Sequence, residues 1–189
     1  MPRIDAQRNI DALLAAAKEE FAAHGVDVHV RAIAARAGVG TATLYRHFPL
    51  RSDLVSAVFR REVDACAADA PQLAASHDPE EALALWLRRY TEFVATKRGL
   101  AAALHSGDPA FNGLKTYFED RVGPALRTLL DNAVAAGAVR DGVDALDLLG
   151  AVSNLCVPPP GTDDTSRAYR MVALLIDGLR YGASQSASA

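Results

Sequence analysis

One segment of the chain carries cationic side chains and no acidic ones. No Asp or Glu occurs between Val28 and Ser52, whereas four arginines do: Arg31, Arg36, Arg46 and Arg51. Guanidinium groups pair with phosphate oxygens through parallel hydrogen bonds, so arginine is the usual side chain for phosphate recognition. This charge pattern is typical of a surface that contacts a polyanion.

The remainder of the chain has the opposite charge. Residues 1–61 hold nine Lys or Arg and six Asp or Glu, a net charge of +3, whereas residues 62–189 hold eleven and seventeen, a net charge of −6, giving −3 in all. An acidic body with a basic head fits a protein that contacts a nucleic acid at one end only.

Composition excludes several classes of protein. Half of the 189 residues are hydrophobic, which indicates a globular rather than a disordered chain. No apolar run reaches the roughly 18 residues of a membrane span, and no signal-peptide pattern begins the chain, so we expect a cytoplasmic protein without membrane contact. Cys66 and Cys156 fit neither a disulfide framework nor a zinc site, and His24 and His29 lack ligand spacing, so we expect no metal and no cofactor.

The elements that present the basic segment are helices. Apolar residues recur at i, i+3, i+4, i+7 and i+11 from Ile10 to Phe21, which predicts a first helix ending before Gly25. A second helix is predicted from Val30 to Ala37, because Gly38 supplies the left-handed residue that ends a helix at low cost.

A third short helix is predicted from Thr41 to His47, because Pro49 disfavours a helical conformation at the residue before it. Two helices joined by a tight glycine turn, packed on a first helix, form a helix-turn-helix, and the second helix of the pair enters a DNA major groove. Polar and basic residues flank the predicted exposed side of that helix: Thr41, Thr43, Tyr45, Arg46 and His47.

At these residues the chain resembles the TetR family of bacterial transcriptional regulators. The run VRAIAARAGV at residues 30–39 is similar to the second helix and turn of that family, and TLYRHFP at residues 43–49 is similar to its recognition helix. The motif covers about a third of the chain. The other two thirds resemble the family in the number and length of helices rather than in sequence.

The resemblance implies a set of DNA-contacting residues: Arg31, Thr41, Ala42, Thr43, Tyr45, Arg46, His47 and Arg51. By this resemblance Tyr45, His47 and Arg51 would hold backbone phosphates. Arg46 would stand where side chains vary with the operator, and Arg31 would meet a base or a phosphate. Tyr45 taken alone favours a packing role, and we expect Arg36 to be a solvated charge on the far side of its helix.

Three positions depart from the family pattern. Thr41 replaces a common cation, Ala42 adds a methyl group where the family often has glycine, and Leu50 stands where a serine usually caps the next helix. These departures bear on the operator sequence and on the start of the fourth helix, and not on the DNA-binding role.

The rest of the chain is predicted to be helical as well, with about nine helices in all. The fourth begins near Arg51 and is followed by a looser stretch from Pro71 to Asp78. The remaining predicted helices cover residues 79–96, 99–105, about 109–137, 144–156 and 165–181. The expected architecture is all-α, with a DNA-binding domain at residues 1–50, a helical ligand-binding and dimerisation domain at 51–182 and a disordered tail at 183–189.

In the family, the helices after the DNA-binding domain enclose a ligand cavity. The resemblance therefore implies candidate ligand-binding residues, which are otherwise ordinary core residues: Trp86, Tyr90, Phe93, His105, Phe111, Tyr117 and Phe118. The resemblance also implies a four-helix dimer interface made by the last two helices, whose apolar stripes would otherwise pack within one chain: Leu148, Leu149, Val152, Leu155, Val172, Leu175, Ile176 and Leu179.

The sequence thus predicts a homodimeric repressor that binds a palindromic double-stranded DNA operator and is released by an unidentified small-molecule effector. A dimer is expected because one short recognition helix reads too few base pairs for useful specificity. A regulator without a diffusible ligand is the alternative within the same class. An all-helical ligand carrier or enzyme is the alternative from another class, although the sequence lacks phosphate-loop, nucleophile-elbow and HExxH motifs.

Overall fold

The described part of the chain is helical throughout. A computed structural model describes residues 2–104, 107–157 and 165–181, and the side chains of 6–94, 107–157 and 166–181. Within these ranges there are eight α-helices and no strand. They are α1 (Pro2–His24), α2 (Val30–Arg36), α3 (Thr41–His47), α4 (Arg51–Ser76), α5 (Pro79–Leu104), α6 (Leu114–Ala135), α7 (Ala145–Leu155) and α8 (Thr165–Arg180). The predicted all-α fold is confirmed.

The helices belong to two compact units. The N-terminal unit consists of the residues up to Glu62 together with residues 96–115, and the C-terminal unit consists of residues 63–95 together with those from Thr116 onward. The predicted domain boundaries at residues 50 and 182 stay predictions.

The N-terminal unit is built on the apolar stripe of α1. Leu13, Ala17 and Phe21 are buried on that helix, and the short helices α2 and α3 bury Ile33 and Leu44. Helices of seven residues are unstable alone in water, so α2 and α3 depend on this packing. The stripe predicted from the sequence is therefore the face that positions the basic segment.

Helix α4 corrects the prediction of a loose stretch from Pro71 onward. It begins at Arg51, as predicted, but it continues through Pro71 to Ser76. Proline inside a helix costs about 3 kcal/mol because it removes a hydrogen bond and crowds the preceding turn. Pro71 is exposed, and its neighbours Ala70 and Leu73 are buried, so tertiary packing on the opposite side outweighs the local cost.

Helix α5 corrects the prediction of separate fifth and sixth helices. One helix runs from Pro79 to Leu104 through Gly99, without the predicted break between residues 96 and 99. Glycine costs only about 1 kcal/mol in a helix interior, and the following segment is rich in alanine and leucine, which are strong helix formers. The described residues therefore contain eight α-helices instead of the nine predicted for the whole chain.

The segment after Pro109 also differs from its prediction. A single 3-10 turn covers Pro109–Phe111, capped by the Asp108 carboxylate, which accepts a hydrogen bond from the Ala110 N–H at 2.8 Å. Gly113 has φ +84°, and α6 starts after it at Leu114. A left-handed residue interrupts a right-handed helix, so the predicted long helix begins five residues later.

Three features predicted from the sequence lie outside the described residues. They are His105, the segment at residues 158–164 that joins the last two predicted helices, and the tail at residues 183–189.

Candidate nucleic-acid interface

The turn between α2 and α3 is closed by backbone hydrogen bonds. The Gly38 N–H donates to the Ala35 carbonyl at 3.1 Å, and the Val39 N–H donates to the Ala34 carbonyl at 3.0 Å. Gly38 has φ +69°, a conformation that residues with a Cβ rarely adopt. Buried Ala34 keeps the helix pair close, so the glycine turn predicted from the sequence is present.

Helix α2 is joined to α1 by an ion-pair cluster. Arg36 Nε lies 2.6 Å from Glu20 Oε1, and Arg36 Nη1 lies 2.8 Å from Glu19 Oε2. The hydrogen bond to the buried Glu20 carboxylate raises the pKa of Arg36. His24 Nδ1 lies 3.6 Å from Glu20 Oε2. Arg36 is therefore a link between two helices, which corrects the expectation that it is only a solvated charge.

Helix α3 turns one side inward and leaves the other to solvent. Leu44 is its one buried residue among the seven, and Phe48 just after it is buried too. The exposed side carries Ala42, Tyr45 and Arg46, at the i, i+3 and i+4 spacing of one helix face. This face is continuous and holds a methyl group, a phenol and a guanidinium.

The remaining predicted contacts on α3 are half-buried at the edges of this face. They are Thr41, Thr43 and His47. The rings of His47 and Phe48 are 6.5 Å apart, so the imidazole lies beside the unit's core. Of the six predicted contact residues on α3, three are therefore exposed and three are half-buried. Tyr45 is 50% exposed, more than a packing role alone would leave it.

The start of α4 is capped by its own third residue. The Asp53 carboxylate accepts a hydrogen bond from the Leu50 N–H at 2.9 Å, which is one half of a capping box. Leu50 lacks the capping hydroxyl of the serine in the family pattern, and the hydrogen bond between the Leu50 N–H and Asp53 compensates for that loss. The helix therefore starts where the sequence predicted.

Arg51 is held by the turn between α1 and α2. Its Nη1 donates hydrogen bonds to the Val26 carbonyl and, at 2.9 Å, to the Val28 carbonyl. Sequence reasoning missed this arrangement, because the residues are 25 and 23 positions apart and no local pattern connects them. Arg51 thus ties the first turn of α4 to the helix-turn-helix.

The four arginines of the basic segment divide into two pairs. Arg36 and Arg51 are bonded within the N-terminal unit. Arg31 and Arg46 are exposed, and neither has a hydrogen bond or ion pair to any residue that the structure describes. A positive charge that is exposed and unpaired keeps its full attraction for an external anion.

Comparison with known proteins agrees with this geometry. The family profile described as "Bacterial regulatory proteins, tetR family" matches residues 13–58. A second, "Transcriptional regulator SbtR-like, C-terminal domain", matches residues 78–181, more than half of the 189-residue chain. The chain belongs to the TetR family. It is therefore a DNA-binding transcriptional regulator, of a family that is not enzymatic.

Solved TetR-family structures resemble the whole chain. A TetR transcriptional regulator from Streptomyces coelicolor is 36% identical over 90% of this chain and 98% of its own, with a TM-score of 0.75. A TetR protein from Mycobacterium vanbaalenii is 35% identical over 95% and 99%, with a TM-score of 0.72. A gamma-butyrolactone receptor (ArpA like protein) shares the fold at 22% identity, over 93% and 90%, with a TM-score of 0.62. No curated protein sequence matches this chain.

Four of the aromatic residues predicted to bind ligand form one stacked cluster in the C-terminal unit of this TetR-family chain. Ring centroids are 5.6 Å apart for Trp86 and Tyr90, 5.9 Å for Tyr90 and Phe93, and 6.1 Å for Phe93 and Phe118. Trp86 and Tyr90 are fully buried. Offset stacking of this kind stabilises a core, so these rings mainly contact one another.

The polar atoms of the buried rings have partners. Trp86 Nε1 donates to the Cys66 carbonyl at 3.0 Å, and Tyr90 Oη lies 2.8 Å from Ser153 Oγ. Burial raises the pKa of Tyr90, so its hydroxyl stays protonated near neutral pH. This hydroxyl and Ser153 form a polar pair inside the aromatic cluster.

The other predicted ligand residues are not part of the stack. The Tyr117 hydroxyl donates to both carboxylate oxygens of Asp64, at 2.7 and 2.8 Å, and Arg121 lies 5.3 Å from the centre of its ring. Phe111 belongs to the N-terminal unit and is half-buried. His105 lies outside the described residues.

The apolar stripes of α7 and α8 are mostly buried within the protomer, and the predicted dimer interface stays a prediction. Six of the eight predicted residues are at most 6% exposed in the single chain: Leu148, Leu149, Val152, Val172, Ile176 and Leu179. Leu155 and Leu175 are half-buried. Other large apolar residues, on these helices or just beyond their C-terminal ends, are exposed: Leu146, Val157, Tyr169, Leu174 and Tyr181. A residue without exposed area adds little to an interface between subunits.

None of the described helices is long and apolar enough to cross a membrane. Within residues 2–104, 107–157 and 165–181, no group of three or more His, Cys, Asp or Glu is placed to hold a metal ion.

Proposed function

We propose that this TetR-family chain is a homodimeric repressor that leaves a palindromic operator when a small molecule binds its C-terminal domain. In this proposal residues 1–50 read DNA, and residues 51–182 bind the effector and the second subunit. The observation that carries the proposal is the exposed face of α3, which includes the unpaired Arg46, together with the unpaired Arg31 of α2.

The DNA contacts follow from exposure and chemistry. Arg46, in the middle of the exposed face, is suited to a bidentate contact with guanine, and the Ala42 methyl group is suited to a thymine methyl. Tyr45 and His47 donate hydrogen bonds to phosphates, as the family resemblance implies, and Thr41 and Thr43 border the same groove. Arg31, on α2, adds a phosphate contact that carries no sequence preference.

Arg51 has two roles in this proposal, one in positioning α4 and one in contacting a phosphate. Its Nη1 is committed to the α1–α2 turn, so it positions α4 relative to the helix-turn-helix. A phosphate contact through its remaining N–H groups is compatible with that role, because a guanidinium has five donors in a rigid plane.

The second subunit packs on the exposed faces of α7 and α8. Leu174 is 65% exposed and Leu146 is 43% exposed, and large exposed apolar residues favour association. Gly150 and Gly178 lie on these faces with open space around the position of a Cβ, so a partner helix can approach closely. A dimer places two recognition helices on one face of DNA, which explains the palindromic operator.

The effector acts by shifting a population. A ligand releases DNA only if it binds the non-binding conformation more tightly than the binding one. The same fold carries a gamma-butyrolactone receptor, so it is compatible with small-molecule binding. The stacked Trp86 and Tyr90 favour the second candidate, a regulator whose core is filled and which needs no diffusible ligand.

The proposal is tested with DNA fragments from the region upstream of the chain's own gene. We expect binding at low salt to a fragment that contains an inverted repeat, a two-protomer complex on each repeat, and release by a small-molecule extract from the host. Arg46→Ala should change the preferred base sequence, whereas His47→Ala should weaken binding to every sequence. Failure to bind any such fragment would contradict the proposal. Binding without release by any extract favours the ligand-independent regulator.

A further inference from the structure

The N-terminal unit contains an apolar cavity directly beneath the recognition helix. Its volume is about 140 Å³, and it lies among residues of α1, α2, α3 and the start of α4. Phe21, Ile33, Leu44 and Leu54 are buried and form its inner wall. A volume of about 150 Å³ lined by such side chains is enough to hold one benzene-sized molecule.

The rim of the cavity consists of exposed residues. Tyr45 is 50% exposed and Leu50 is 63% exposed, and Arg51 is exposed beside them. The cavity is therefore open to a molecule from solvent at the side where α3 and α4 meet. The only charged group that lines it is the Arg51 guanidinium.

Arg51 keeps hydrogen-bond donors available for an anion at this rim. Its Nη1 donates to the Val26 and Val28 carbonyls, which hold the guanidinium in place. The Nε and Nη2 edge has no acceptor among the described residues. That edge presents two parallel N–H groups, the geometry that matches one carboxylate.

We propose that this cavity binds a small aromatic monocarboxylate, with the ring among the apolar residues and the carboxylate on the Nε–Nη2 edge of Arg51. The volume admits one ring, the lining is apolar, and one preorganised cation stands at the opening. The nearest acidic residue along the chain is Asp53, whose carboxylate accepts the Leu50 N–H.

A bound carboxylate neutralises Arg51 and lies against Tyr45. Both residues are DNA contacts in the proposed function, so such a ligand competes with DNA directly, without a signal from the C-terminal unit. The competition rests on those proposed contacts, whereas the binding of the carboxylate does not.

Binding is tested first on the full-length protein without DNA, with benzoate as the probe and saturation-transfer NMR and calorimetry as readouts. Benzyl alcohol keeps the ring and lacks the charge, and acetate keeps the charge and lacks the ring. We expect saturable binding of benzoate. Benzyl alcohol should bind at least tenfold more weakly, because a charge-assisted hydrogen-bond pair contributes roughly ten- to a hundredfold. Acetate should also bind at least tenfold more weakly, because it places no ring among the apolar residues.

Two variants locate the site. Arg51→Gln removes the charge and should weaken benzoate binding at least tenfold, and Val30→Phe adds a ring at the cavity lining and should abolish it. Arg31→Gln is the matched control, since it removes an equal charge from the same unit outside the cavity, and it should bind benzoate like the parent. Thermal melts identify any variant that fails to fold.

Trp86 is the single tryptophan and lies in the C-terminal unit, so its fluorescence should not respond to benzoate. Absence of benzoate binding, or equal binding by the folded Arg51→Gln variant, would overturn the proposal. Benzoate binding that leaves DNA affinity unchanged would keep the site and contradict the proposed DNA contacts of Tyr45 and Arg51.

Discussion

Arg36 and Glu20 are joined by a hydrogen bond of 2.6 Å between Nε and Oε1, although 16 residues separate them in sequence. The Glu20 side chain is only 8% exposed, so the Arg36 guanidinium replaces part of the solvation that burial removes from its carboxylate. The pair makes α1 and α2 one body, and with them the platform that carries the recognition helix.

Arg36→Gln should lower the thermal unfolding temperature, because it leaves the buried Glu20 carboxylate without its main cationic partner. Differential scanning calorimetry measures the change. Arg31→Gln is the control, since Arg31 is exposed and has no partner among the described residues, and its melting temperature should equal that of the parent. If Arg36→Gln melted at the same temperature as Arg31→Gln and the parent, the Arg36–Glu20 pair would not stabilise the N-terminal unit.

Tyr90→Phe should reduce the loss of stability at alkaline pH. Burial raises the pKa of Tyr90 above its ordinary value of 10.0, so above that pH the unfolded chain ionises while the folded chain does not. This difference lowers the free energy of unfolding by about 1.4 kcal/mol per pH unit until the folded hydroxyl ionises too.

Below pH 10 both states keep the proton, so this contribution is absent there. Urea unfolding of the parent and of Tyr90→Phe, at a series of pH values from neutral upward, measures the difference. Above pH 10 the free energy of unfolding of the parent should fall more steeply than that of Tyr90→Phe. Parallel curves would mean that the Tyr90 hydroxyl ionises equally in both states.

Leu174→Glu should dissociate the homodimer, because it places a charge in the apolar surface proposed as the interface. Leu50→Glu is a matched control, since Leu50 has nearly the same exposure, 63% against 65%, and lies in the other unit. Sedimentation velocity should give a dimer for the parent and for Leu50→Glu, and a monomer for Leu174→Glu. A Leu174→Glu variant that stays dimeric would remove α8 from the interface.

The sequence predicted those features that depend on local signals. The bounds of α2 and α3 follow from Gly38, which adopts a left-handed conformation, and from Pro49, which stops the helix before it. Both act through the backbone of a few adjacent residues, so a single sequence contains the information. The helix-turn-helix was therefore predicted almost residue by residue.

Predictions were wrong where tertiary packing outweighed a local preference. Proline usually ends a helix, but α4 continues through Pro71. Buried neighbours such as Leu73 supply the compensating free energy, and burial is a property of the fold.

The hydrogen-bond partners of the charged residues could not be predicted from the sequence either. Arg36 and Arg51 read as members of one basic segment, but their acceptors are 16 and more than 20 residues away. The apolar stripe of α8 indicated which side is buried, and it did not reveal that the opposite side keeps Leu174 exposed.

The central claim is that the face made by α3 and the unpaired arginines binds DNA. The most direct test measures DNA affinity by fluorescence anisotropy over a series of salt concentrations, for the parent and for single Arg→Gln variants at Arg31, Arg46 and Arg36. Each phosphate contact contributes about one unit to the slope of log affinity against log salt concentration.

Arg31→Gln should reduce this slope by about one, and Arg46→Gln should weaken binding to the preferred sequence by roughly tenfold or more while affecting other sequences less. Arg36→Gln, measured below its melting temperature, should keep the slope of the parent. An unchanged slope and affinity for both Arg31→Gln and Arg46→Gln would contradict the account.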